Sequence, residues 1–200
     1  MDVVSSGLIL SLLFTHFLLL MNQKIIKIHD KEFAPFISYE KIDKTISAIA
    51  ERMNQELRDK NPLFIAVLNG SFMFASDLFH KLDFSCEITF VKLASYSGTK
   101  STENVRQLIG LDEDIVGRNV VVIEDIIDSG LTMERILAQL QMIGAADIKI
   151  ATLLYKPNAF KGHYSIDYIG LEIGNEFIVG YGLDYDKHGR NYKDIYKIVE

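Results

Sequence analysis

Within SYEKIDKTISAIAERMNQEL, residues 38–57, apolar side chains recur at Ile42, Ile46, Ile49, Met53 and Leu57. That spacing places them on one face of a helix, and Ser38 is suited to cap its start. The pattern then changes. NPLFIAVLNGS is continuously apolar from Pro62 to Leu68, and Gly70 closes the run, as expected of a short strand buried on both faces. SFMFASDLFHKL returns to a helical pattern from Ser71. CEITFVKLASY, rich in β-branched residues, predicts another strand.

The alternation continues through the second half of the chain. Residues 119–124 predict a buried strand, and residues 131–143 a helix with Met133, Ile136, Leu137 and Leu140 inward. Gly144 follows, a residue suited to end a helix. DIKIATLLYK predicts a strand ending at Lys156, and DYIGLEI and EFIVGYGLDY supply two shorter ones. Strands alternating with helices predict an α/β fold with a mostly parallel sheet flanked by helices. Residues 95–107, SYSGTKSTENVRQ, are polar and aperiodic. They form a long connection of the kind that carries function.

One feature lies outside this alternation. Residues 3–21, VVSSGLILSLLFTHFLLLM, are apolar enough to suggest a membrane span. No basic segment precedes them and His16 interrupts them, so they read as an extension (residues 1–21) that the fold does not need. An N-terminal anchor is the alternative. Residues 22–200 then form one domain.

Composition narrows the function. The chain has 200 residues, 48% hydrophobic and 24% charged, with net charge −6. An acidic chain is a poor partner for nucleic acid or an anionic membrane. Cys86 is the single cysteine, which excludes an intrachain disulfide and suits a reducing, cytoplasmic setting. The five histidines show no metal spacing.

In open α/β sheets, ligands sit at the carboxyl ends of strands. Chemically loaded residues fall at four such ends: Asn69-Gly70, Ser95-Tyr96, residues 124–132, and Lys156. In DSGLT, residues 128–132, Gly130 allows a tight turn and the next helix offers free N–H groups to an anion. A helix cap by Asp128 or Ser129 is the plainer alternative. Glu124 and Asp125 argue for more than a cap, because paired carboxylates at a buried strand end repel and desolvate badly. Carboxylates suit ribose hydroxyls and a Mg²⁺ shell. A sugar phosphate satisfies both halves of the segment.

VVVIEDIIDSGLT resembles the phosphoribosyl-diphosphate signature of type I phosphoribosyltransferases, most closely the hypoxanthine-guanine enzymes. FIAVLNGSFMFASDL is similar to the family's pyrophosphate loop and following helix, and SYSGTKST to its catalytic loop. LLYKP and EFIVGYGLDY…GR resemble its purine pocket and C-terminal metal segment. The resemblance spans residues 22–200 and implies that both termini build a small hood over the sheet.

It also implies roles for individual residues. Glu124 and Asp125 would hold the ribose hydroxyls and Mg²⁺. Asp128 would face purine N7 as general acid/base, with Ser95 and Tyr96 closing over the reaction. Ser129, Gly130, Leu131 and Thr132 would bind the 5′-phosphate. Leu68, Asn69 and Gly70, next to a peptide bond often cis in the family, would bind pyrophosphate with Arg190. Lys156 would donate to a 6-oxo group, Phe177 would stack on the base, and the Ile178 backbone would read its edge. Asp184, at the purine pocket, would hold a second Mg²⁺. Two positions depart from common family residues: Asn69 and Leu131 each stand where relatives often carry Lys.

The activity implied is purine salvage: transfer of phosphoribose from 5-phosphoribosyl 1-diphosphate to N9 of hypoxanthine or guanine, in a homodimer or homotetramer. A non-catalytic sensor of phosphoribosyl diphosphate is the alternative, but the acidic chain lacks a basic face for nucleic acid.

Overall fold

The computed structural model describes residues 24–96 and 105–199. The apolar run 3–21 and the centre of the polar connection, residues 97–104, lie outside them.

A six-stranded sheet forms the centre of the fold. Its strands are β3 (Leu63–Val67), β4 (Glu87–Tyr96), β5 (Val105–Ile109), β6 (Asn119–Ile127), β7 (Asp147–Tyr155) and β8 (Tyr168–Glu172), in the order β5-β4-β3-β6-β7-β8. The β3–β4, β3–β6, β6–β7 and β7–β8 pairs are parallel. β5 closes one edge antiparallel to β4, with Ser95 opposite Arg106 and Tyr96 opposite Val105. This strand lies partly within residues 95–107, where the polar composition predicts only a connection. Ladder bonds to β4 give these residues a strand that no hydrophobic alternation announces.

Helices cover both faces of the sheet. α1 (Tyr39–Glu56) and α2 (Phe72–Phe79) pack Ile42, Ile46, Ile49, Met53, Phe74 and Leu78 against Phe64, Ala66, Val121 and Ile123. α3 (Leu131–Ile143) packs Met133, Ile136 and Leu140 on the opposite face, against Leu63, Ile65, Val120 and Val122. Alternate residues of β3 and β6 therefore enter different cores, which accounts for their unbroken apolar runs. Each buried aliphatic side chain contributes on the order of 1.5–3 kcal/mol.

The predicted caps hold where backbone geometry requires them. The Ser38 side chain accepts from Lys41 N–H at 3.4 Å. Gly144, at φ 108°, ends α3 in the left-handed region. Cys86 packs, partly buried, at the margin of the first core.

A second, antiparallel sheet is built from both ends of the chain, as the family resemblance implies. β1 (Ile26–Ile28), β2 (Lys31–Ile37), β9 (Ile178–Val179) and β10 (Ile195–Ile198) lie in the order β1-β2-β10-β9. Its own small core holds Ile26, Ile28, Phe33, Val179 and Tyr196. Among the described residues, no helix is long and apolar enough to cross a membrane.

Candidate active site

The functional residues converge where β3, β6 and β7 end. β6 runs through the acidic pair to Ile127, three residues beyond the predicted stop, because Ile126 and Ile127 continue the ladder opposite Leu154 and Tyr155. This extension carries Asp128 clear of the sheet, where its side chain is exposed.

Asp128 and Lys156 meet there. Lys156 Nζ lies 3.1 Å from Asp128 Oδ2, and Lys156 is only 8% exposed. The backbone sets this pairing, since Lys156 N–H donates to Ile127 C=O at 3.0 Å. Lys156 is thus a buried cation with one exposed carboxylate partner, not a solvated strand end.

Below the pair, Gly130 opens α3 at φ 81°, and no side chain caps the helix. The capping alternative for Asp128 or Ser129 is therefore not realised, and the first-turn N–H groups face a cavity of about 250 Å³. Glu124, Asp128, Ser129, Gly130 and Thr132 line it. Unpaired donors at a helix start, beside two hydroxyls, suit a phosphate. Leu131 is half exposed at the lip, so it contributes backbone rather than a side-chain charge.

The acidic pair sits deeper. Although Glu124 as a whole is part-buried, its Oε2 is sealed from solvent without a hydrogen-bond partner. Desolvation, then the neighbouring Asp125, pushes the Glu124 pKa well above the ordinary range. Asp125 is raised too, by burial, against the opposing pull of Ile126 N–H, which donates to its Oδ1 at 2.9 Å. Buried carboxylates held in this state call for a cation or hydroxyl donors.

The loop after β3 packs directly on Asp125. The Leu68–Asn69 peptide is cis. A Cβ at Gly70 would lie 1.5 Å from Asp125 Oδ2, so only glycine fits. Gly182 in turn approaches Gly70: its Cβ would lie 2.1 Å from Gly70 O. Arg190 Nη1 donates to Gly182 C=O at 2.5 Å, and its Nη2 pairs with Asp184. The Arg190 charge reaches Asp125 and opposes the rise in its pKa. A polar C-terminal segment is thereby tied to the acidic pair and the loop.

Asp184 also accepts from Lys187 N–H at 2.7 Å. Among the described residues, no three His, Cys, Asp or Glu groups gather as a metal cluster, so Asp184 does not join Glu124 and Asp125. Phe177 is 44% exposed at the hood edge, although an aromatic in an apolar strand is more often core. Ile178 is buried beside it in β9. Ser95 and Tyr96 end β4, and the connection they enter lies outside the described residues.

Sequence reasoning missed the residues that support the cradle. A Cβ at Gly130 would lie 2.6 Å from the Phe160 ring, and Tyr164 O–H donates to Gly130 C=O at 3.1 Å. Phe160 and Tyr164 pack edge to face at 5.2 Å. Their separation by four residues after Lys156-Pro157 was the available signal. Gly182 and Tyr185, within EFIVGYGLDY, carry no spacing that announces their contacts with Gly70 and Asp30.

Comparison with known proteins agrees with this geometry. Residues 38–186 match the phosphoribosyl transferase domain. The chain is 43% identical over 151 residues to a hypoxanthine-guanine-xanthine phosphoribosyltransferase of Tritrichomonas foetus, covering 75% of this chain and 82% of that protein. It is 39% identical over 164 residues to the hypoxanthine-guanine phosphoribosyltransferase of Bacillus subtilis, covering 82% and 91%. A Bacillus anthracis hypoxanthine-guanine phosphoribosyltransferase structure superposes with TM-score 0.75 at 34% identity, covering 89% of this chain and all of that one. A Staphylococcus aureus hypoxanthine phosphoribosyltransferase structure gives 0.76 at 32% identity, covering 82% and 90%. By fold, site and similarity, the chain belongs to the hypoxanthine-guanine phosphoribosyltransferases of the phosphoribosyl transferase domain family.

Proposed function

We infer that this protein is a purine-salvage transferase, moving phosphoribose from 5-phosphoribosyl 1-diphosphate to N9 of hypoxanthine or guanine. One observation carries the reading: the buried Lys156 ammonium lies 3.1 Å from Asp128, above the uncapped start of α3. A 6-oxo acceptor, an N7 proton and a 5′-phosphate then each meet a complementary group. Lys156 has the wrong sign for the 6-amino group of adenine.

In the reaction the C1′–O bond breaks and its electron pair leaves with pyrophosphate. Purine N9 forms the new bond to C1′. Asp128 takes the N7 proton as this happens, its carboxylate oriented by the Lys156 contact at 3.1 Å. The N–H groups at residues 129–132 hold the 5′-phosphate. The Leu68–Gly70 backbone and Arg190 face the leaving pyrophosphate. Phe177 supports the base, and Ser95 and Tyr96 exclude water.

The residues present fit Mg²⁺. The sealed, unpartnered Oε2 of Glu124 and the adjoining Asp125 are hard oxygen donors in need of a cation. Asp184, released from Arg190, would hold a second ion. When bound, Mg²⁺ neutralises charge on the diphosphate leaving group. Residues 22–200 act as one domain, in the cytoplasm, as a homodimer or homotetramer.

The test is incubation of the purified protein with phosphoribosyl diphosphate, Mg²⁺ and each purine. IMP and GMP, with equimolar pyrophosphate, are expected. Turnover of adenine but not hypoxanthine overturns the base assignment. Tight phosphoribosyl diphosphate binding without turnover of any base overturns the enzyme reading. Light scattering reports the assembly.

A further inference from the structure

The N-terminal hairpin supplies none of the polar groups of the site just described, yet it surrounds one residue beside it. Tyr185 follows Asp184 in the loop that ends at Arg190. Its O–H donates to Asp30 Oδ1 at 2.8 Å. The rings of His29 and Phe33 meet the Tyr185 ring at 5.8 and 6.2 Å respectively. Lys31 Nζ sits 5.7 Å from the ring centroid. All four partners come from β1–β2 and its turn. The remaining edge of Tyr185 stands against Phe177, with centroids 5.7 Å apart and planes at 89°.

The two turns are joined at further points. His29 Nε2 lies 3.0 Å from His188 Nδ1. A Cβ at Gly189, where φ is 97°, would lie 2.7 Å from the Ile28 side chain. Within the loop itself, the Tyr185 and His188 backbones exchange hydrogen bonds at 2.9 and 3.0 Å. The hairpin therefore grips the loop closely enough to fix the Tyr185 ring. Phe177 is half exposed, and its other ring contact, with Phe33, is tilted at 6.2 Å. An aromatic platform is useful only if its plane is set before the base arrives.

We propose that Tyr185 is a positioning residue that orients Phe177 for the purine, and that the His29–Asp30 turn is the clamp holding Tyr185. The proposal rests on the assignment of Phe177 to the base given above. Its specific consequence is an effect on the purine alone, since Tyr185 has no described contact with the phosphate cradle or the acidic pair.

The test uses the full chain and steady-state kinetics with hypoxanthine and phosphoribosyl diphosphate. Tyr185→Phe keeps the ring and removes the hydrogen bond; Asp30→Ala removes its acceptor. Each is expected to raise the KM for hypoxanthine about three- to tenfold, as for the loss of one ordinary, solvent-exposed hydrogen bond. The KM for phosphoribosyl diphosphate and kcat stay unchanged. Asp30→Asn, which still accepts from the tyrosine, restores the wild-type KM. The double variant is no worse than either single one. An unchanged KM for hypoxanthine, additive effects, or equal loss in every constant together with the melting temperature would overturn the clamp. If Asp30→Ala fails to fold, Tyr185→Phe against wild type decides alone. If the wild type turns over no purine, the function proposed above fails, and calorimetric binding of IMP to wild type and Tyr185→Phe decides the clamp instead.

Discussion

Lys156 Nζ and Asp128 Oδ2 stand 3.1 Å apart, the lysine buried and the aspartate exposed. They are 28 positions apart in sequence and meet because β6 and β7 are parallel neighbours ending at the same level. A buried ammonium needs a partner, and this one uses the carboxylate proposed to face the base. That arrangement would couple base recognition to proton transfer. Replacing Asp128 by Asn should lower kcat about 10²–10⁴-fold, the range for losing a general acid/base. The KM for phosphoribosyl diphosphate should hardly move. Equal kcat in the variant would remove Asp128 from the chemistry.

Lys156→Ala leaves an exposed carboxylate, which water can solvate. The expected cost falls on base binding: an increase of about tenfold or more in the KM for hypoxanthine, with discrimination against adenine weakened. Competition assays with the two bases measure it. Intact discrimination would assign the 6-oxo contact elsewhere.

Glu124 predicts a dependence of stability on pH. Its pKa in the folded chain lies well above the ordinary value, through burial and then Asp125. The folded state therefore holds a proton that the unfolded state has lost. Without metal, the contribution of Glu124 to stability should be fully present below the ordinary glutamate pKa of about 4.3 and be lost as pH rises through the elevated value. Glu124→Gln should flatten this slope and raise the neutral-pH melting temperature by about 2–4 °C per kcal/mol relieved. Thermal melts in chelator across pH test this, and parallel curves for the two proteins would refute it.

Gly70→Ala should be costly for its size. The added Cβ would lie 1.5 Å from Asp125 Oδ2 and 2.4 Å from its Cγ, so the acid must move. A destabilisation of about 1–3 kcal/mol is expected, with a larger fall in kcat/KM. Urea unfolding and steady-state assays read the two separately. A variant with wild-type kcat/KM would show that the Asp125 position is unimportant.

Tyr164→Phe removes the O–H that braces Gly130 C=O at 3.1 Å while keeping the ring against Phe160. The cradle should loosen, with a rise of a few-fold in the KM for phosphoribosyl diphosphate and a stability cost of about 1 kcal/mol. An unchanged KM would place the brace outside phosphate binding.

Much of the fold was legible because periodicity follows burial. The α1 stripe at Ile42, Ile46, Ile49 and Met53 is buried as its spacing predicts, and α3 ends at Gly144. The misses share a physical cause. β5 takes its structure from ladder bonds to β4, to which a polar sequence contributes no pattern. The end of β6 at Ile127 depends on the length of β7 beside it. In the site, DSGLT and the acidic pair are local and were readable. Phe160, Tyr164, Gly182 and Tyr185 act only by contact with segments distant in sequence.

The sequence by itself determined the alternation of strands and helices, the phosphate-type turn at Gly130, and the acids beside it. Those features depend on neighbours within one or two turns of chain. Tertiary structure alone decided which groups face one another: Lys156 with Asp128, Gly70 with Asp125, Arg190 with Asp184 and Gly182, and the N-terminal hairpin with Tyr185. Each pairing depends on strand order and register, which are set by packing across the whole sheet and hood. No local spacing encodes them.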